Sequence, residues 1–176
     1  ETQLEWRPTS PNIPDVQTAL VYPGLGMIEA TNLSEGRGTN APFLTIGAPW
    51  LNSTKIKDDL DCQVVLIDTI RFVPVEIEGV AINPKYKDEQ CNGLQFTITN
   101  VDNFKPVEFA IKLICLIRDI HKKEFKINRE QMERLTGSTK VTEGLIAGKS
   151  AKEIIKSYQQ NLVMFKNIRD KYLLYD

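Results

Sequence analysis

The residues that could do chemistry crowd into one stretch, YPGLGMIEATNLSEGRGTNAPF, residues 22–43. Glu29, Glu35 and Arg37 lie there among Gly24, Gly26, Gly36 and Gly38, with Thr31, Asn32, Thr39 and Asn40 between and beside them. Carboxylates, a guanidinium and hydroxyl or amide side chains are what a sugar site requires, and glycoside hydrolysis generally employs two carboxyl groups flanking the scissile bond. Four glycines in the fifteen residues from Gly24 to Gly38 sacrifice chain entropy. One use for that sacrifice is close approach of backbone to a ligand. The residues alone leave a second reading open: a structural loop in which glycines make turns, Thr31 and Asn32 cap backbone groups, and Glu35 pairs with Arg37.

Other chemistries find less support. Cys62, Cys91 and Cys115 show neither C-x-x-C spacing nor neighbouring histidines, whereas a zinc site draws on about four such ligands. No metal and no organic cofactor is implied. Cys115 reads as a small buried hydrophobe, while Cys62 and Cys91, near a strand start and in a loop, are compatible with a disulfide in an oxidising compartment. The one histidine, His121, falls near a helix end and reads as solvated and favoured by the helix dipole. No orienting partner for triad chemistry is evident beside it. Gly148-Lys149-Ser150 resembles the end of a phosphate-binding loop, but the required first glycine would fall on Glu143. A helix stop at Gly148 and a cap at Ser150 account for the same residues.

The elements that must position the loop follow from pattern. Prolines 8, 11 and 14 make residues 1–15 an extended lead-in or interdomain linker, with residues 16–176 as the folded domain. Thr18–Pro23 and Phe43–Trp50 are short apolar runs consistent with buried strands, and Trp6 and Trp50, beside proline-containing turns, read as anchors. A short helix is expected after a cap at Asn52 or Ser53. The β-branched run Gln63–Val75 is the clearest strand, and Gly93–Asn100 alternates in the manner of a half-buried one. From Asp102 or Asn103 an apolar helix begins, with Pro106 in its first turn. Asn128 with Gln131, and Ser150 with Glu153, carry capping spacing, and Gly137 and Gly148 fit the stops. The last helix, about 150–171, places Ala151, Ile155, Tyr158, Leu162 and Phe165 on one face and is expected to close the core. The fold class is therefore α+β: a small mixed sheet packed with several helices.

Composition sets outer bounds. A chain of 176 residues, 41% apolar, 26% charged and near −1 in net charge has the makings of one globular core. It lacks the basic excess that would neutralise nucleic-acid phosphates. The longest apolar run, Ala110–Ile120, is interrupted by Lys112, Arg118 and Asp119 and falls short of the roughly 20 residues of a membrane span. The chain opens at Glu1 rather than methionine, so a leader or a further domain upstream would not be visible in it.

The string YPGLGMIEATNLSEGRGTNAPFLTIGAPW, residues 22–50, resembles the signature of the NamZ/YbbC-like exo-β-N-acetylmuramidases, departing from it at Ala30, where glycine is expected. Segments 6–14, 91–111, 135–141, 146–154 and 165–175 resemble later parts of that family in the same order. The resemblance implies the C-terminal domain of a two-domain enzyme, with an upstream Rossmann-like domain and the active cleft between the two. The implied reaction is release of terminal N-acetylmuramic acid from the nonreducing end of peptidoglycan fragments, in cell-wall turnover or muropeptide recycling. It further implies a bacterial envelope setting: secreted, periplasmic or lipid-anchored. Glu29 and Glu35 become catalytic candidates, and Asn32, Arg37 and Thr39 substrate-binding ones, with the general acid assignable to either domain. A noncatalytic glycan-binding or bracing domain is the alternative.

Overall fold

A computed structural model describes residues 5–174, and the first four residues of the expected lead-in lie outside it. Residues 5–14 form no helix or long strand, in keeping with their prolines, and a turn bridges Ser10 to Ile13. Helix α1 (Val16–Leu25) follows, capped by Asp15, whose Oδ1 accepts from the Thr18 amide at 2.7 Å. The strand expected at Thr18–Pro23 is thus a helix. Six residues are too few for their period to distinguish the two, and Asp15 supplies the N-terminal cap that decides the matter. Thr18, Val21 and Leu25, at helical spacing, face the core.

Three strands follow: β1 (Thr45–Ala48), β2 (Val65–Phe72) and β3 (Cys91–Ile98). They lie in the order β1-β3-β2 and pair antiparallel throughout, so the α+β class stands with a uniformly antiparallel sheet in place of the mixed one. Leu94, Phe96 and Ile98 of central β3 are buried, as alternation requires. Gly47 and Gly93 sit directly across from each other, and the Phe72 ring covers both; a Cβ on either would come within 2.7 Å of that ring.

Helix α2 (Ser53–Asp59) has the expected cap, Asn52 accepting from the Lys55 amide. Helix α3 (Pro106–Ile120) starts three or four residues later than expected, because the residue before a proline is pushed out of the helical region. Pro106 is therefore its first residue. Phe109, Ile111, Leu113, Ile114 and Ile117 are buried, each contributing on the order of 1.5–3 kcal/mol of hydrophobic stabilisation. Phe109 meets Phe96 of the sheet edge to face at 5.3 Å. Against α1 the contact is backbone: a Cβ at Gly24 would lie 2.0 Å from the Pro106 carbonyl oxygen.

Helices α4 (Arg129–Thr136), α5 (Thr139–Ile146) and α6 (Ala151–Arg169) complete the domain. Asn128 caps α4, Gly137 ends it in the left-handed region, and Ser150 and Glu153 form a reciprocal capping box on α6. Arg118 donates to the Leu145 and Lys149 carbonyls at 3.0 Å, closing the end of α5. Helix α6 closes the core only at its start. Ile154 is buried and Ile155 and Tyr158 pack partly against the core, but Leu162 and Phe165, expected on the same buried face, are exposed.

Two further expectations change. His121 is 9% exposed rather than solvated; its Nε2 accepts from the Asn52 amide at 3.1 Å, and its ring meets Trp50 edge to face. It thereby orders the entry to α2. All three cysteines are free, with the Cys91 and Cys115 thiols pushed up to about 11, chiefly by burial. Trp50 anchors as expected, donating from Nε1 to the Tyr86 hydroxyl, whereas Trp6 keeps 39% of its surface exposed. No helix among the described residues is long and apolar enough to cross a membrane.

Candidate functional site

A five-residue 3-10 helix, Gly26–Ala30, continues from α1 and delivers Glu29. The chain then runs beside β1, with Ser34 and Gly47 exchanging amide-to-carbonyl bonds at 2.8 and 3.1 Å, and turns back on itself. Gly36 and Gly38 hold φ of 76° and 78°, a region glycine enters without steric cost. A Cβ at Gly36 would lie 2.4 Å from the Thr45 carbonyl oxygen, and one at Gly38 2.3 Å from that of Val75. The close approach these two glycines permit is to the protein's own backbone. Arg37, between them, is left projecting from a clamped loop.

The loop gathers a four-membered ionic cluster. Arg37 Nη2 donates to Glu29 Oε1 at 2.6 Å, and Arg37 Nε lies 3.4 Å from Glu35 Oε1. Beneath, Lys85 Nζ reaches the carbonyls of Ile28, Glu29 and Leu33 at 3.3, 3.0 and 3.0 Å. An ammonium has three hydrogens, and those carbonyls take them. Its 3.1 Å approach to Glu35 Oε2 is consequently an ionic contact, and Oε2, on a residue 5% exposed, receives no hydrogen bond from the described residues. Phe43 lies under the guanidinium, its ring centroid 5.2 Å from Arg37 Cζ, an arrangement that favours the cation. Phe43 is itself held at φ 62°, costly for an aromatic residue and sustained by complete burial against Tyr22.

Glu29, Glu35 and Arg37 thus meet at one cleft of about 360 Å³, whose remaining wall is residues 80–85 with Gln131. Asn32 and Thr39 spend their polar atoms elsewhere. Asn32 Nδ2 donates to the Glu124 carbonyl and its Oδ1 accepts from the Lys126 amide, while the Thr39 hydroxyl donates to the Gly36 carbonyl and accepts from the Ala41 amide. Both fasten the loop. Lys85 was not legible as a site residue, because fifty residues separate it from Glu35 and it sits in an unremarkable charged turn. Tyr86 extends the same support by donating to the Asn32 carbonyl at 2.7 Å.

A larger groove, about 500 Å³, runs past Trp50, Asn52, Thr69 and Asn92, but Arg71 is the only charged residue lining it. Size favours that groove and chemistry the ionic cleft, whose two carboxylates and exposed guanidinium edge can take up sugar hydroxyls and an anionic substituent. Among the described residues no cluster of three or more histidine, cysteine or carboxylate side chains could hold a metal ion.

The family model described as "Exo-beta-N-acetylmuramidase NamZ, C-terminal" matches residues 20–175. Peptidoglycan beta-N-acetylmuramidase NamZ of Bacillus subtilis (strain 168) is 33% identical over 179 residues, taking in 99% of this chain and 42% of that protein. Two crystal structures of DUF1343 family proteins from Bacteroides fragilis NCTC 9343 share the fold. One superposes with a TM-score of 0.83 at 22% identity over 98% of this chain and 46% of its own; the other gives 0.68 at 28% over 99% and 46%. The chain spans less than half the length of each of these relatives.

Proposed function

The chain belongs to the family of NamZ C-terminal domains, and on that premise we propose that the full-length protein is an exo-β-N-acetylmuramidase. It removes terminal N-acetylmuramic acid from the nonreducing end of peptidoglycan fragments, for turnover or recycling of the wall. This domain supplies one wall of the cleft and an upstream Rossmann-like domain the other, in a secreted, periplasmic or lipid-anchored bacterial protein. The relative that carries the activity in its name supports the reaction class.

The observation that carries the reading on this domain's side is Arg37, held between Glu29 and Glu35 over Phe43 and lining the cleft. N-acetylmuramic acid differs from N-acetylglucosamine by a lactyl ether bearing a carboxylate. A guanidinium fixed in orientation grips a carboxylate with two parallel hydrogen bonds, which lysine cannot do. Glu29, partly exposed at the cleft, is placed to accept from sugar hydroxyls, and Glu35, nearly buried, to hold Arg37 in place. In this reading Glu29 and Glu35 orient and bind, and the proton donor to the leaving group comes from the opposite wall.

The test is turnover of a chromogenic N-acetylmuraminide by the full-length protein, wild type and Arg37→Ala. Loss of a charge-assisted hydrogen bond is worth about 1.5–3 kcal/mol, roughly a 10- to 150-fold loss of kcat/KM on the muraminide. A matching glucosaminide, lacking the carboxylate, should lose much less. Equal losses on both sugars would move Arg37 from specificity to catalysis or loop integrity, and absence of turnover by the wild type would leave a binding or bracing domain.

A further inference from the structure

We propose that the second half of α6 and the tail after it are where the other half of the full-length protein docks, an apolar fastening that holds the two walls of the cleft at a fixed separation. This rests on the two-domain reading above. Ile154, Tyr158, Leu162, Phe165 and Ile168 recur at three- and four-residue spacing and make one stripe along the helix. The domain's own core covers the stripe at Ile154 and partly at Tyr158, then stops. Phe165 and Ile168 are 59% and 55% exposed, and the chain continues through Tyr172 and Leu174 at 78% and 88%. A stripe laid down for burial runs beyond the body that buries its first turns.

The uncovered area has a size. With Leu162 and Leu173 also exposed, and roughly 100 Å² offered by each side chain at such exposures, the stripe and the tail together offer about 600 Å² of apolar surface. Monomers rarely present more than a few hundred Å² of contiguous apolar surface. One partner's share of a standard interface is about 800 Å², of which these six side chains would supply the greater part. Beside it an apolar groove of about 430 Å³, bounded by Met27, Ile111, Leu135, Val141 and Phe165, offers a receptacle for the partner's side chains.

The relatives point to the occupant. Both solved relatives align over 98% or more of this chain, α6 included, and this chain accounts for only 46% of each. The helix is therefore retained in proteins with more than as much chain again to bury it. Lys166, Arg169 and Lys171, interspersed with the apolar residues, would lie at the rim of such a contact.

Hydrogen–deuterium exchange on the full-length protein tests the assignment. Amides of residues 162–169 should exchange at least tenfold more slowly than those of a solvent-exposed helix end. The double variant Phe165→Asp with Ile168→Asp should abolish that protection and expose a matching segment in the other half, while residues 151–158 keep theirs. Exchange in the wild type at the rate of a free helix overturns the proposal. So does protection that disappears on dilution together with a halving of mass by light scattering, which would assign the patch to a second copy. Muraminide turnover is read separately. An active protein with an unprotected helix sinks the docking assignment and leaves the enzyme reading standing; a protected helix in a protein without turnover does the reverse.

Discussion

Replacing Lys85 by methionine tests the claim that the cleft is built from below by one ammonium. The stem is nearly conserved in volume, so the change removes the charge and three donors with little loss of packing. Carbonyls of Ile28, Glu29 and Leu33 lose their lysine partner, and the nearly buried Glu35 loses its nearest cation, at 3.1 Å against 3.4 Å for Arg37. Removing one partner of a buried ion pair costs about 3–5 kcal/mol. The Lys85 side chain is 33% exposed, so water recovers part of this, and about 2–4 kcal/mol is expected. For a domain this size each kcal/mol moves Tm by about 2–4 °C, so the variant should melt roughly 4–16 °C lower. Lys57, 3.9 Å from Asp68 on the surface, is the control; Lys57→Met should stay within about 0.5 kcal/mol of wild type. Lys85→Arg should not rescue, because a planar fork cannot place three hydrogens on carbonyls that converge at one point. Urea denaturation of this chain decides it. A Lys85→Met midpoint indistinguishable from that of Lys57→Met would mean that the ammonium is a bystander.

Gly24→Ala places a methyl 2.0 Å from a backbone oxygen of α3, so α1 and α3 must separate, and a loss of about 3 kcal/mol or more by denaturant unfolding is expected. Glu35→Gln keeps the shape but removes the charge between Arg37 and Lys85; this chain should be destabilised by about 1–3 kcal/mol, and full-length kcat/KM should fall more on the muraminide than on the glucosaminide as Arg37 loosens. At pH 8 a thiol reagent should label Cys62 readily and reach Cys91 and Cys115 only on unfolding. Those two thiols keep their protons to about 11 when folded and release them near 9 when unfolded, so the unfolded state binds fewer protons in that window. Stability should therefore be lost as pH rises from about 9 to about 11, and a urea midpoint flat across that range would contradict their burial.

What the sequence disclosed was mostly what neighbouring residues decide. The caps at Asn52, Asn128 and Ser150 and the stop at Gly137 were legible because each is settled within three or four residues. The strand pattern of β3 was legible because a half-buried face imposes a period of two. Thr18–Pro23 was misread because its run is shorter than two helical turns. His121 was misread because its burial depends on Trp50 and Asn52, some seventy residues earlier in the chain. In the cleft, Glu29, Glu35 and Arg37 were found together because one loop carries them all. Lys85, Tyr86 and Gln131 were missed because only the folded chain brings them there.

The glycines on either side of Arg37 bear on how this protein's kin are to be read. Each is required because an added Cβ would fall 2.4 or 2.3 Å from a carbonyl of the scaffold, whatever occupies the cleft. A descendant that lost its catalytic partner, or exchanged its sugar for another, would still need both glycines in order to fold. The Glu-Gly-Arg-Gly string is thus a marker of ancestry and architecture, and a poor witness to turnover. On the proposed function, activity in a relative is better judged from whether Arg37 keeps its two carboxylate companions and a second wall to face them.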